Sequence, residues 1–293
     1  MLTNPYYRQQ QEHHNEYELD YCLDYFNKRL RVDDYAGNTE KIAQRMIEIT
    51  RGNAFTKVFI KARQQDWPYF LSQGFMLEGV FEKYYSGSDA YSMAKYFDLV
   101  RHTSDYWLEE DHILNEVLAI PAKKERLDLP SHVTLRAATF ADASQLAALY
   151  RSVFLTYPTP MNDPAYIRKI IAEDTIFYVV EQAGELVSAA SAAINGKYQN
   201  AEMGDCATLP RMRKHGLMQL LMQALEHDLQ QRHIFCVYAL ARALSFGMNA
   251  VFAQLGYRYN GRMTKNCNIY DKFEDMNLWV KQLSRVTAEE GSE

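Results

Sequence analysis

A chain of 293 residues has the length of two domains, and 47% hydrophobic residues are enough to build a sizeable core in each. A net charge of -5 argues against nucleic acid as a main partner, and no apolar run approaches the 18 residues of a membrane span. The opening MLTNPYYRQQQEHHNEYELDYC lacks an apolar h-region, so no signal peptide is expected; four cysteines without C-x-x-C spacing (Cys22, Cys206, Cys236, Cys267) read as free thiols of a reducing cytoplasm.

Residues 1–27 are polar and tyrosine-rich without a clear period, and Arg29–Tyr35 alternates like a strand. Asn38 is placed to cap a helix carrying Ile42, Ala43, Met46, Ile47 and Ile49, which Gly52-Asn53 should end in a left-handed turn. A strand over Phe55–Ala62 follows, then a short helix, DWPYFLSQ, with Pro68 in its first turn, and a strand over Phe75–Tyr85. Ser86-Gly87 marks a turn, with a strand or helix through Leu99 after it. Ser104 starts a helix to Ile120 whose buried side is expected to be Trp107, Leu108, Ile113, Val117 and Leu118. PAKKERLDLPSH, bracketed by Pro121 and Pro130, reads as a linker over 121–132 between domains 1–120 and 133–280, with a polar tail over 281–293.

In the second domain, Val133–Ala137 is a strand and Thr139 to Asp142 a capping box, opening a helix with Leu146, Leu149, Tyr150 and Val153 on one side. YPTP at 157–160 breaks it, and a short helix around Tyr166–Ile171 follows. Strands Ile176–Glu181 and Glu185–Ile194 are joined at Ala183-Gly184. A central strand leads to Pro210 and a basic loop, and then a helix with Leu217, Leu220, Leu221, Ala224, Leu225 and Leu229 on one face. Ile234–Leu240 is the next strand, with a helix from about Ser245 to Leu255 and strands from Gly256 onward. The frame F-x-x-x-G-(F/Y)-x-x-x-G after a strand and helix occurs twice, ending at Gly79 and at Gly261, so the first half reads as a degenerate copy of the second. It has no counterpart of the basic Gly216 loop and should not bind a second coenzyme.

Arg211, Arg213, Lys214 and His215 crowd around Gly216 where that helix begins. Free N–H groups and the positive end of the helix dipole make such a turn a phosphate site. Neither G-x-x-x-x-G-K-(S/T) nor G-x-G-x-x-G occurs, which disfavours a nucleotide loop. Arg213 to Met218 instead resembles the acetyl-CoA signature of the GNAT N-acetyltransferases, (Q/R)-x-x-G-x-(G/A), with Met218 where the family prefers Gly or Ala. The resemblance implies an α/β (α+β) GNAT fold: a mixed, mostly antiparallel twisted sheet flanked by helices, in the succession β-α-α-β-β-β-α-β-α-β-β over Val133 to about Val280. It implies acetyl-CoA as cosubstrate and no metal. Main-chain groups of Cys206, Ala207, Thr208 and Leu209 would face the pantetheine arm, and the N–H groups of Arg213, Lys214, His215, Gly216, Leu217 and Met218 the pyrophosphate. Asn249 would hydrogen-bond the coenzyme, and Phe252 stands where many relatives carry a tyrosine acid.

An amine nucleophile must first lose a proton, since alkylammonium groups titrate near pH 10.4. Glu202, four residues before Cys206 as in the histone-acetylating branch, is the candidate base; strand alternation would send its rival Asp205 to the opposite face. With Phe252 lacking a hydroxyl, either another group such as Cys267 or a tyrosine serves as acid or the thiolate leaves unassisted. Ser191 and Ser245 have no G-x-S-x-G around them and read as structural, and the eight histidines show no H-x-x-x-H metal spacing.

SGSDAYSMAKYF, YPTP followed by DP, AEMGDCATLPRMRKHGL and LGYRYNGRMTKNCNIYDKFEDMNLWVK together look like the β-lysine N6-acetyltransferase family, across nearly the whole chain. That resemblance implies acetylation of the ε-amino group of 3,6-diaminohexanoate to a compatible solute. Asp205, Asn266, Asn268 and Tyr157 are then candidates for holding a zwitterionic substrate, with Tyr157 where the family's substrate loop falls. Another small amine (lysine, a polyamine) and a non-catalytic acetyl-CoA or ligand-binding protein stay open, as does a homodimer.

Overall fold

The same plan is built twice. In the first half, β1 (Tyr7–His13), β2 (Tyr17–Asp24), β3 (Arg29–Gly37), α1 (Thr39–Gly52), β4 (Lys57–Ala62), α2 (Trp67–Ser72), β5 (Met76–Tyr85) and β6 (Ser88–Tyr96) follow one another. After α3 (Leu99–His102) and α4 (Trp107–Leu118), the second half adds β7 (Thr134–Ala137), α5 (Ala143–Val153) and α6 (Pro164–Ala172). It then repeats the succession: β8 (Thr175–Gln182), β9 (Glu185–Asn195), β10 (Asn200–Thr208), α7 (Leu217–Gln231), β11 (Cys236–Arg242), α8 (Phe246–Gln254), β12 (Arg258–Ile269) and β13 (Lys272–Gln282). The computed structural model describes residues 6–121, 129, 132–270 and 272–283. Most of the linker expected at 121–132 and the tail past 283 lie outside them. Among the described residues no helix is long and apolar enough to cross a membrane.

Thirteen strands form one sheet in the order β1-β2-β3-β4-β6-β5-β12-β13-β11-β10-β9-β8-β7. Apart from the extra edge strand β7, the two halves have the same order read from the edge to the middle, each with one parallel pair, β3 with β4 and β10 with β11. Local chemistry sets the elements. The Asn38 side chain accepts the Lys41 N–H and opens α1, which buries Ile42, Ala43, Met46 and Ile49. Thr139 and Asp142 form their reciprocal box ahead of α5. Ala183 and Gly184, at φ 48° and 82°, supply the two left-handed residues of a β8–β9 hairpin.

Three expectations are corrected. The stretch before residue 28 holds two strands, β1 and β2, whose polar and aromatic side chains hid the alternation. The left-handed residue after α1 is Ala54 (φ 53°), not Gly52 or Asn53. And α4 is rotated from its predicted face: Leu108 is 86% exposed, while Glu110, Leu114 and Val117 are buried. Glu110 goes inward because the Arg262 guanidinium from the second half stands 3.6 Å from its carboxylate, stacked on the Trp107 ring. Burial, and then the neighbouring Asp275, push its pKa up to about 8.

The halves meet where β5 pairs with β12, and the paired residues are Gly79 and Gly261, the closing glycines of the two sequence repeats. A Cβ on Gly261 would collide with the Glu78 carbonyl and the Gly79 Cα, at a φ of +144°. Beside this contact the β12–β13 ladder shifts between Met263 and Cys267, freeing β12 carbonyls. Cations of the first half receive them: Lys57 Nζ donates to Thr264 O at 2.9 Å and Arg29 Nη1 to Asn266 O at 2.8 Å. Gly261→Ala is therefore expected to cost about 2–3 kcal/mol, read as a lowered denaturation midpoint, whereas Gly196→Ala, with open space around it, should cost far less.

Candidate active site

The parallel ladder between β10 and β11 stops early. It runs from Asn200 opposite Cys236 to Met203 opposite Ala239, although β10 continues to Thr208 and β11 to Arg242. On its other edge β10 slips against β9 between Gly204 and Ala207, a bulge in which Asp205 takes φ +47°. The parted strands open a cavity of about 840 Å³, lined by Met203 to Cys206 and Thr208, by the Met212–Gln219 loop, by α8 and by Phe154 and Tyr157. That volume suits a cofactor-sized ligand.

At one end lies the start of α7. Its N-cap is Gly216 in the left-handed region (φ +73°), and no side chain caps it. The first-turn N–H groups thus face the cavity uncovered, at the positive end of a 15-residue helix. Lys214, also left-handed (φ +67°), and Arg213, which donates to Thr208 O at 3.3 Å, line the cavity beside them. Arg211 is taken up by Glu185 at 2.5 Å. An uncapped helix start with two cations is the donor set that a diphosphate needs, so the site fits the coenzyme.

Of the residues predicted for the coenzyme, Cys206, Thr208, Arg213, Lys214, His215, Gly216, Leu217, Met218 and Phe252 line the cavity. Ala207 and Leu209 turn their side chains into the core, and the Leu209 N–H is bonded to Val187 O at 2.9 Å. Asn249 has a different task from the one expected. It is fully buried, donates to Arg242 O (2.9 Å) and Ser245 O (2.8 Å), and accepts from Asn277 Nδ2 (3.0 Å) and Trp279 Nε1 (2.8 Å). Both donors and both lone pairs are used inside the protein, leaving nothing for the coenzyme.

The carboxylates also depart from simple alternation. Ser191 pairs with Gly204, so its hydroxyl lies on the face of Glu202, and it donates to Asp205 Oδ2 at 2.7 Å. The bulge has turned Asp205 to the side of Glu202. Tyr157 donates to Asp205 Oδ1 at 3.2 Å, bringing two of the predicted substrate residues together, and Tyr150 holds the Asp205 carbonyl. Burial, reinforced by the Glu202 charge, raises the Asp205 pKa against those hydrogen bonds. Glu202 itself is half-buried and receives the Tyr238 hydroxyl at 3.3 Å, a partner given by strand register and not by any motif. Burial keeps Cys206 a thiol and Tyr157 a phenol.

Asn266 and Asn268 do not join this group. They lie in the seam between the halves: Asn266 is 1% exposed, and the Asn268 N–H is held by Asn27 Oδ1 at 2.7 Å. Cys267, a candidate acid, is likewise buried there, 3.6 Å from Arg29 Nη1. Because it strands the Trp279 and Asn277 donors, Asn249→Ala should cost about 2–4 kcal/mol in denaturant unfolding while the folded fraction keeps its affinity for coenzyme A. Asp205 with a raised folded-state pKa makes stability fall as pH climbs from the usual carboxylate range through the raised value. Asp205→Asn should flatten that stretch of a melting-temperature against pH curve.

The acetyltransferase (GNAT) family profile matches residues 144–257. N-acetyltransferase YodP of Bacillus subtilis (strain 168) is 42% identical over 260 residues, 89% of this chain and 94% of that protein. β-Lysine N6-acetyltransferases of Methanosarcina mazei and Methanococcus maripaludis are 34% and 32% identical, over 85% and 87% of this chain and 100% and 93% of their own lengths. Built twice, with a coenzyme-sized cleft in its second half, the chain belongs to the β-lysine N6-acetyltransferase family of the GNAT N-acetyltransferases and is an acetyl-CoA-dependent N-acetyltransferase.

Proposed function

We propose that the protein transfers acetyl from acetyl-CoA to the ε-amino group of β-lysine, 3,6-diaminohexanoate, by direct attack of the deprotonated amine. The product, N6-acetyl-β-lysine, would be a compatible solute of the cytoplasm. The observation that carries the reading is the early end of the β10–β11 ladder, beside which an uncapped helix start and the Asp205 carboxylate line one cleft, with Glu202 adjacent on the same strand. The names of the two methanogen relatives support the substrate.

In this reading the diphosphate rests on the α7 start and the acyl chain follows the unpaired edge of β10. The amine approaches from the Glu202 side, where Glu202 takes its proton directly or through water. Asp205 lies on the same face and holds Tyr157 by its hydroxyl. Phe252 has no proton to give to the departing thiolate, and Tyr157, kept protonated by burial and lining the same cleft, is the group in place for it. Thiol release from acetyl-CoA across a panel of amines tests the substrate: β-lysine should give the highest kcat/KM, and faster turnover of lysine or a polyamine would overturn the assignment. Glu202→Gln should lower kcat/KM by about 10²–10⁴-fold near neutral pH. The deficit should shrink toward pH 10, where the amine sheds its own proton; equal activity of the variant throughout would remove Glu202 from the role of base.

A further inference from the structure

The first half of the chain places against Tyr238, the partner of Glu202, a buried cation that has no anion among the described residues. On β4, Val58, Ile60 and Ala62 face the first-half core under α1, so Lys61 points to the opposite face, toward the second half. Lys61 is 9% exposed, and its ammonium lies over three rings: Phe81 at 5.3 Å, Tyr84 at 5.2 Å and Tyr238 at 5.9 Å. Among the described residues no carboxylate forms an ion pair with it, and its Nζ makes no hydrogen bond. The acid that feels its charge, Asp33, is already gripped by Arg31 (Nε at 2.5 Å, Nη2 at 3.1 Å) and by Gln9 at 2.7 Å. Aromatic faces offset part of the cost of burying an ammonium, but an anion is what the position lacks.

One of those three rings is also the Glu202 partner. Tyr238 presents its face to Lys61 and its hydroxyl to Glu202, across strands whose residues 202 and 238 are paired in register. A buried cation thus sits one tyrosine away from the expected base. On the reading that the substrate is β-lysine, we propose that Lys61 receives the substrate's carboxylate, setting the ε-amine at the other end of the six-carbon chain against Glu202. The first half of the chain, which has no coenzyme loop of its own, would then select the amine by its acid group through a charge-assisted hydrogen bond.

The test compares β-lysine with 1,4-diaminopentane, the same molecule without its carboxylate. In the wild type β-lysine should be strongly preferred. K61M should raise KM for β-lysine by about 10–100-fold with little change in kcat, leave KM for acetyl-CoA and for the diamine unchanged, and so erase the preference; K61R should restore much of it. Thermal melts report whether each variant folds. A wild type that prefers β-lysine and a folded K61M that keeps the preference overturn this inference alone. A wild type that acetylates the diamine at least as well overturns the substrate reading with it. Should K61M unfold, formate, the carboxylate alone, on the wild type decides: it should compete with β-lysine and leave diamine turnover unchanged, and competition with both amines or with neither overturns the proposal.

Discussion

Everything at the active site follows from main-chain groups that the sheet does not use. A strand inside a sheet normally spends its N–H and C=O groups on both neighbours, and leaving them unpaired in the interior is costly. Here β11 stays with β13 along its full length, pairing Cys236 through Arg242, and so turns away from β10 after Met203. The abandoned edge of β10 needs a partner, and the cleft gives it room for one. The bulge on the other side of β10 is part of the same geometry, since a strand that must leave one neighbour bends most readily where its register with the other slips. One local irregularity therefore yields the ligand edge, the cavity, and the turn that brings Asp205 alongside Glu202.

The duplication shows what makes such an edge a site. The first half has the same succession and its own parallel pair, Arg29 to Val32 with Lys57 to Ile60. The helix that follows there begins at once after β3, and the Asn38 side chain occupies its first turn. In the second half eight residues separate β10 from α7, the N-cap is a glycine without a side chain, and the free donors are left to a ligand. The first copy has also turned the face opposite α1 into a wall for the second, with Lys57, Arg29 and Arg101 donating to the carbonyls of the irregular part of β12. Bonds of that kind tie the halves into one body, since removing a cation would strand a buried carbonyl.

How legible this was depended on whether a residue's role was local. The N-caps at Asn38 and Thr139, the hairpin at Ala183-Gly184 and the apolar stripe of α7 are decided within a few residues, and they could be read directly. The glycine loop at 216 was legible for the same reason. What escaped was fixed by partners far along the chain. The face of α4 follows from Arg262, about 150 positions away, which turns Glu110 inward against the hydrophobic pattern. The side of β10 that Asp205 occupies depends on a bulge that alternation cannot foresee. Asn249, matched to a coenzyme role by resemblance, is claimed instead by Trp279 and Asn277 on β13. At Glu110, Asp205 and Asn249 the reason is the same: a polar group has several satisfactory fates, and only the tertiary structure selects among them.

This division bears on how the fold separates its two ligands. In the proposed reading the coenzyme meets mostly backbone: first-turn N–H groups and a strand edge, features that depend on Gly216 and on register more than on side-chain identity. Met218 in place of the small residue of the signature would be tolerable on that ground, because its contribution in that reading is an N–H. In the same reading the amine would meet side chains: Glu202, Asp205 and Tyr157 from the second half, near the aromatic wall of Phe81 and Tyr84 from the first that packs on Tyr238. Phe252 fits the same logic. It is 1% exposed and packed edge-on against Tyr257, so position 252 serves the core that holds the cleft open. In the proposed mechanism proton chemistry then falls to hydroxyls and carboxylates on the other wall, beside the bulge.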